Sequence, residues 1–362
     1  MANQTPAPVP KLSIEAIQTV TPVRITEQRQ TRQVLAGDGL VGPGIFQSCF
    51  NMVQYYTQER EEDSGWHLAG WIKETLGIAL MEQPMICGRL RKGEKNKQQL
   101  EIVSNDSGIR LIEARIQIKL SEFLESKQRE DVEAQLVFWK DIDEHNPQFS
   151  PLFYVQVTNF ECCGYSIGIS CSILLTDLLL KKGFLKTWAD IHNNVISNNN
   201  NQKSPLFYLP GLKSTNGSSP DLITSTSSKN SAKTMIFTIN TGTGTPGSEW
   251  CRKMALACLE EAENNLASVV GGEFCLILNE SLEVIKVESC SKQGVLMGHD
   301  KEMNHAGWDD LGANALCFGD GNKPAPVSCW LTSMLGAFVI LIPTTSTTNV
   351  IVTIPNDNTG KI

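Results

Sequence analysis

The side chains best suited to chemistry lie close together in Gly164-Tyr-Ser-Ile-Gly-Ile-Ser-Cys-Ser-Ile-Leu-Leu-Thr-Asp177. Ser172, Thr176 and Asp177 supply two hydroxyls and one carboxylate, and no histidine stands among them. A serine attacks only beside a base that takes its proton, and a carboxylate with a pKa of about 4 is a weak base at neutral pH. His67, His145, His192, His299 and His305 are all remote from this stretch in sequence. Each alone reads as a surface or packed residue, and only the fold can bring one of them near.

The elements that must hold these groups follow from hydrophobic period. Tyr165 to Cys171 alternates as a strand running into the interior, and Leu178 to Val195 has the spacing of a helix. Leu180, Phe184, Leu185, Trp188 and Ile191 share one side of that helix, with Lys181, Lys182 and Asp190 elsewhere. This stripe reads as core packing, not as a cofactor site. Leu152 to Phe160 is a second strand, turned by Glu161 to Gly164 into a hairpin with the first.

Upstream, Ile14 to Val20, Phe46 to Tyr56 and Gln98 to Val103 read as strands, and Trp66 to Gln83 as a helix ended by Pro84. The turn residues Asn105-Asp-Ser-Gly108 are expected to return Ile109 to Ala114 as a partner strand. Leu120 to Ser126 is a short helix, and Asp141 to His145 a loop. Asn193 to Lys233 is rich in Asn, Ser and Pro, the composition of a flexible connection and the best candidate boundary. Beyond it come a strand at Thr234 to Ile239, a helix at Trp250 to Ala267, and strands at Pro326 to Leu331, Ala337 to Ile342 and Asn349 to Ile354. Glu260, Glu261 and Glu263 read as a solvated helix face, not as paired catalytic acids.

With 362 residues, 41% hydrophobic and 19% charged, the chain has ample material for a buried core. A net charge of −8 argues against non-specific nucleic-acid binding. Eleven cysteines without zinc-site spacing read as buried reduced thiols, so no metal is expected. The first thirty residues lack the apolar run of a signal peptide, and no segment is long enough to span a bilayer. A cytoplasmic protein is expected, with peripheral attachment at the endoplasmic reticulum through a partner left open.

Several pieces together resemble the plant BAHD acyltransferases, which move an acyl group from coenzyme A to an alcohol or amine. Gln83-Pro-Met-Ile-Cys-Gly-Arg-Leu90 is similar to their PLAGRL signature, and Asn105-Asp-Ser-Gly-Ile-Arg110 with Glu113-Ala114 to their N-D-x-G-V…E-A segment. Pro151-Leu-Phe-Tyr-Val-Gln-Val-Thr-Asn-Phe160 and Cys163-Gly164 resemble their strand pair. Ser172 to Asp177 sits where they carry S-H-x-x-x-D, and Phe318-Gly-Asp-Gly-Asn-Lys-Pro324 where they carry D-F-G-W-G-K-P. The resemblance implies an α/β fold of two similar chloramphenicol-acetyltransferase-like domains, mixed sheets with helices, with a channel between them. The expected division is 1–195, a crossover linker at 196–233, and a shortened second domain at 234–362.

The departures bear on function. In the family the motif histidine is the general base; here that position is Ile173, a hydrocarbon that accepts no proton. General-base catalysis contributes roughly 10²–10⁴-fold, so ordinary transfer should be weak without it. Asp177 is retained, and the resemblance implies a mainly structural carboxylate. Ser172 has no base nearby in sequence. In the second motif Cys317, Asp320 and an inserted Asn322 replace the family pattern, while Phe318, Gly319, Gly321 and Pro324 keep its turn shape. Lys323 reads as a turn lysine, with a phosphate contact of coenzyme A as the alternative. Few residues separate Ile239 from Cys251, where relatives carry an Arg-bearing segment, so Asp177 is expected to lack its usual partner if that segment is lost.

Three functions stay open. One is an accessory protein of the eceriferum type in very-long-chain fatty acid and wax elongation, whose partner is an elongase condensing enzyme. The second is an active acyl-CoA-dependent O- or N-acyltransferase, with acyl-CoA as co-substrate and no permanently bound cofactor. The third is a non-functional remnant.

Overall fold

The computed structural model describes residues 11–27, 29–37, 44–57, 65–93, 99–161, 164–180, 183–198, 205–206, 225–229, 232–242, 247–292, 303–316, 318, 327–333 and 336–356. The chain begins with strands β1 (Leu12–Val20) and β2 (Thr31–Ala36), a single helical turn α1 (Gly44–Gln47) and β3 (Cys49–Tyr56). Helix α2 (Gly65–Glu82) follows, then β4 (Arg89–Lys92), β5 (Leu100–Val103) and β6 (Ile109–Ile116). Short helices α3 (Leu120–Glu125) and α4 (Arg129–Glu133) lead to β7 (Phe153–Asn159) and β8 (Tyr165–Ser172). After β8 come the short helix α5 (Thr176–Leu179), α6 (Phe184–Asn198), β9 (Ala232–Asn240) and α7 (Ser248–Leu266). The remaining strands are β10 (Glu273–Asn279), β11 (Val284–Ser291), β12 (Met303–Ala306), β13 (Val327–Thr332), β14 (Phe338–Pro343) and β15 (Thr347–Pro355).

Among the described residues these strands form two mixed sheets. The first runs β1-β6-β7-β8-β3-β13, the second β12-β9-β15-β14-β10-β11-β2-β5-β4. Three early strands, β2, β4 and β5, therefore lie in the second sheet, and the late strand β13 closes the edge of the first. The 196–233 connection divides the sequence, while both hydrogen-bonded sheets draw strands from either side of it.

Strand exchange corrects one expectation. The Asn105–Gly108 turn does not pair β5 with β6; it carries the chain from the second sheet to the first, where β6 pairs with β1 and runs parallel to β7. Alternation says which face of a strand is buried, but not which strand lies beside it. The expected β7–β8 hairpin is present, Val155 opposite Ile169 and Val157 opposite Ile167. Both strands are buried along nearly all their length, as central strands covered on two faces must be.

A second correction concerns the helix after β8. It does not run unbroken from Leu178: α5 ends at Leu179, and α6 starts at Phe184 after Gly183, whose φ of +66° lies in the left-handed region. That conformation breaks a right-handed helix and costs glycine least. The stripe Phe184, Leu185 and Trp188 is fully buried against α2 and β7 side chains, as core packing requires. Each such side chain contributes about 1.5–3 kcal/mol by leaving water. Lys181 and Lys182 lie outside the described residues. Helix α7 covers the second sheet over β9, β10, β14 and β15, and Glu263 at its end accepts from Lys292 at 2.7 Å instead of facing solvent alone.

Candidate functional site

β8 delivers the elbow into the interior because Tyr165–Ser172 is hydrogen-bonded on both sides, to β7 and to β3. Gly168 makes one close approach possible: a Cβ there would lie 2.0 Å from the Leu136 carbonyl oxygen. The strand ends at Ser172, whose Oγ accepts from the Leu174 N–H at 3.4 Å and caps a 3₁₀ turn, Ile173–Leu175. Ser172 is thus a buried capping residue, its hydroxyl turned to the backbone. Ile173 is 1% exposed and belongs to the main apolar core.

Asp177 is held by a residue that the sequence reading did not single out. Arg32 of β2 reaches it as a fork, Nη1 donating to Oδ1 and Nη2 to Oδ2, both at 2.8 Å. The same guanidinium donates to the Leu174 carbonyl at 3.2 Å, Asn279 Oδ1 at 3.2 Å and the Ser281 carbonyl at 3.3 Å. Arg32 is 0% exposed and Asp177 4%. A buried ion pair of this geometry recovers part of its desolvation cost through the further bonds of both Nη atoms, while the buried Nε has no partner among the described residues. Asp177 therefore has a partner from outside the 239–251 region: its cation arrives from the N-terminal part of the chain. Its signal was present in Thr31-Arg-Gln-Val34, where Arg32 is in phase with buried Val34 and out of phase with exposed Thr31 and Gln33.

No described histidine supplies a base at the elbow. His192 is buried on α6, its Nδ1 3.1 Å from Thr75 Oγ1, and burial pulls its pKa down from 6.5 to about 3. His67 lies edge-on to Trp71, His145 is exposed in the loop bonded to Asp143, and exposed His305 stands beside Phe237. His299 lies outside the described residues. Two buried thiols flank the elbow. Burial, followed by the neighbouring Cys49 and Asp177, pushes the Cys171 thiol well above its ordinary range. Burial pushes Cys49 up to about 12. Both stay protonated at neutral pH, and a protonated thiol is a poor nucleophile.

Of the second motif, Phe318 is described; Cys317, Gly319, Asp320, Gly321, Asn322, Lys323 and Pro324 lie outside the described residues. Phe318 is 3% exposed, with ring centroids of His192 at 4.4 Å, Trp188 at 4.9 Å and Tyr56 at 6.5 Å. Its partners are core residues of α6 and β3, none of them an elbow residue.

A model of the Transferase family matches residues 11–233, more than half the chain and the whole elbow. The chain belongs to this family, the BAHD acyltransferases. Among curated BAHD relatives, Protein ECERIFERUM 26-like of Arabidopsis thaliana is 30% identical over 118 residues, 33% of this chain and 27% of that protein. Protein ECERIFERUM 2 of the same plant is 29% identical over 123 residues, 32% of this chain and 29% of that one. Taxadien-5-alpha-ol O-acetyltransferase of Taxus chinensis is 31% identical over 164 residues, covering 45% and 36%. The matched stretches thus span about a third or less of the eceriferum relatives' own length. Of solved structures, vinorine synthase aligns over 96% of this chain and 95% of its own, with 13% identity and a TM-score of 0.46. F. graminearum TRI101 complexed with ethyl coenzyme A aligns over 90% and 95%, with 12% identity and a TM-score of 0.43. The fold class is the expected one, α/β with two mixed sheets and covering helices. Among the described residues no helix is long and apolar enough to cross a membrane, and no cluster of metal-ligating side chains occurs.

Proposed function

We propose that this BAHD-family protein does not run base-catalysed acyl transfer and acts instead as an accessory protein in acyl-lipid metabolism. One observation carries the reading: the position of the family's base is a buried isoleucine, and the nearest carboxylate, Asp177, spends both oxygens on Arg32. A buried carboxylate whose two oxygens are both held by a guanidinium fork is placed as a structural counter-ion, and geometry comes before pKa in assigning a base. Asp177 is then a structural residue that ties the elbow to the second sheet, and Ser172 a turn cap. The similarity to the eceriferum proteins supports a role in very-long-chain fatty acid and wax elongation, with an elongase condensing enzyme as partner. Acyl-CoA is its expected ligand, and the endoplasmic reticulum surface its expected place of work.

The test is a purified chain offered a panel of acyl-CoAs with alcohols and amines, alongside co-purification with the condensing enzyme from epidermal tissue. No transfer together with recovery of the enzyme is expected. Robust turnover without a partner overturns the reading and leaves an acyl-CoA-dependent O- or N-acyltransferase.

A further inference from the structure

The second charged cluster of the interior lies away from the elbow motif and is built around Glu133, which is fully buried at the end of α4. Its Oε1 accepts from the Tyr55 hydroxyl and, at 3.2 Å, from Arg129 Nη2. Its Oε2 accepts from Lys229 Nζ and, at 2.9 Å, from Ser328 Oγ. Lys229 also donates to Ser328 Oγ at 3.1 Å and stands 5.4 Å from the centre of the Trp330 ring. Burial opposes the charge on Glu133, yet the bonds from Lys229 and Tyr55 outweigh it and hold the carboxyl below its usual range. A carboxylate with four donors is an anchor and a poor base.

What it anchors is the stretch 225–229, within the crossover. Thr226 N donates to the Trp139 carbonyl at 2.8 Å, and Ser225 Oγ accepts from Trp139 N at 3.0 Å. The Ser228 carbonyl accepts from Thr332 Oγ1 at 3.1 Å. Behind Thr332 runs a row of small polar groups across three strands. Asn51 Nδ2 donates to Thr332 Oγ1 at 3.1 Å, and Ser170 Oγ donates to Asn51 Oδ1 at 2.7 Å. By register Thr332, Cys49 and Ser172 lie opposite one another, as do Asn51 and Ser170, so this face of the first sheet is polar up to the elbow. Buried polar rows are tolerated when their groups find partners, and here the Ser228 carbonyl supplies the one for Thr332.

We propose that residues 225–229 form a strap, latched by the Lys229–Glu133 ion pair, that closes the polar face of the first sheet and uncovers it when the latch opens. The strap is held by one ion pair and a few hydrogen bonds, with Ser225 to Lys229 burying no large apolar side chain. Such segments open before the sheet beneath them. The two buried thiols report the opening. Cys49 points to the strap face, whereas Cys171, opposite Phe50 on the neighbouring strand, points to the other.

The experiment is maleimide labelling of the full chain, read by mass spectrometry at each cysteine, for wild type, Lys229→Met and Lys229→Arg. Methionine approximates the stem and removes the ammonium together with its contact to Trp330; losing its charge-assisted bonds should speed strap opening roughly ten- to hundred-fold. Faster labelling of Cys49 with Cys171 unchanged, and wild-type rates in Lys229→Arg, are expected. Unchanged Cys49 labelling, or Cys49 and Cys171 accelerating together, overturns the strap. Amide exchange in the wild type gives an independent reading: Thr226 must exchange faster than β8, and exchange at a common rate is equally fatal.

Discussion

Arg32→Met is the most exacting perturbation of the elbow, because one side chain satisfies groups from two separate parts of the chain, 174–177 and 279–281. Methionine approximates the stem volume and removes the fork, so Asp177 loses the donor to each of its oxygens while staying buried. Removing one partner of a buried pair costs about 3–5 kcal/mol, since an uncompensated charge remains. Unfolding entropy near 2.1 cal/mol/K per residue, over this length, converts the loss to a thermal shift of about 4–7 °C. Asp177→Leu should cost a similar amount, by leaving the guanidinium without a counter-charge. The double variant Arg32→Met/Asp177→Leu removes both charges and replaces them with hydrocarbon, so it should lie well above the sum of the single losses, by about 2 kcal/mol or more. Thermal and denaturant unfolding of the four proteins measures this cycle. Single variants that shift the midpoint by less than a degree, or a strictly additive double, refute the claim that this pair secures the elbow.

Other outcomes follow from the same geometry. The His192 imidazole is held near 3 against 6.5 in an open chain, so the unfolded state takes up the proton first and stability falls as pH drops below about 6.5. By pH 5 the loss is about 2 kcal/mol, and His192→Leu should abolish it; equal acid sensitivity in denaturant titrations at pH 7 and 5 contradicts this. Gly168→Ala places a methyl 2.0 Å from a backbone oxygen, and a loss of about 3 kcal/mol is expected in thermal unfolding. A midpoint within a degree of wild type shows that no such close approach exists. Ile173→His should lift acyl transfer above the wild-type background by a factor on the order of 10² if the imidazole is all that is missing. An unchanged background in the acyl-CoA panel shows that the elbow has lost more than its base.

Local chemistry is what the sequence carried well. The alternation of Leu152 to Phe160 and Tyr165 to Cys171 determined two buried strands and their hairpin, and the spacing in Trp66 to Gln83 determined a helix. The absence of histidine from the elbow followed from the residues alone, as did the membership of a known family. These are short-range properties: a period of 2 or 3.6, a turn residue, a side chain that can or cannot take a proton.

Partnership between distant segments was decided by the tertiary structure. The turn at Asn105–Gly108 carries the right residues for a reversal, yet it joins two sheets, because hydrogen-bond partners depend on the whole packing and not on the turn. Arg32 and Asp177 are 145 positions apart, and Glu133 and Lys229 are 96 apart. Nothing in a charged residue's neighbours in sequence names the opposite charge it will meet. Burial then makes that pairing obligatory, since a lone charge in the interior is far too costly to persist.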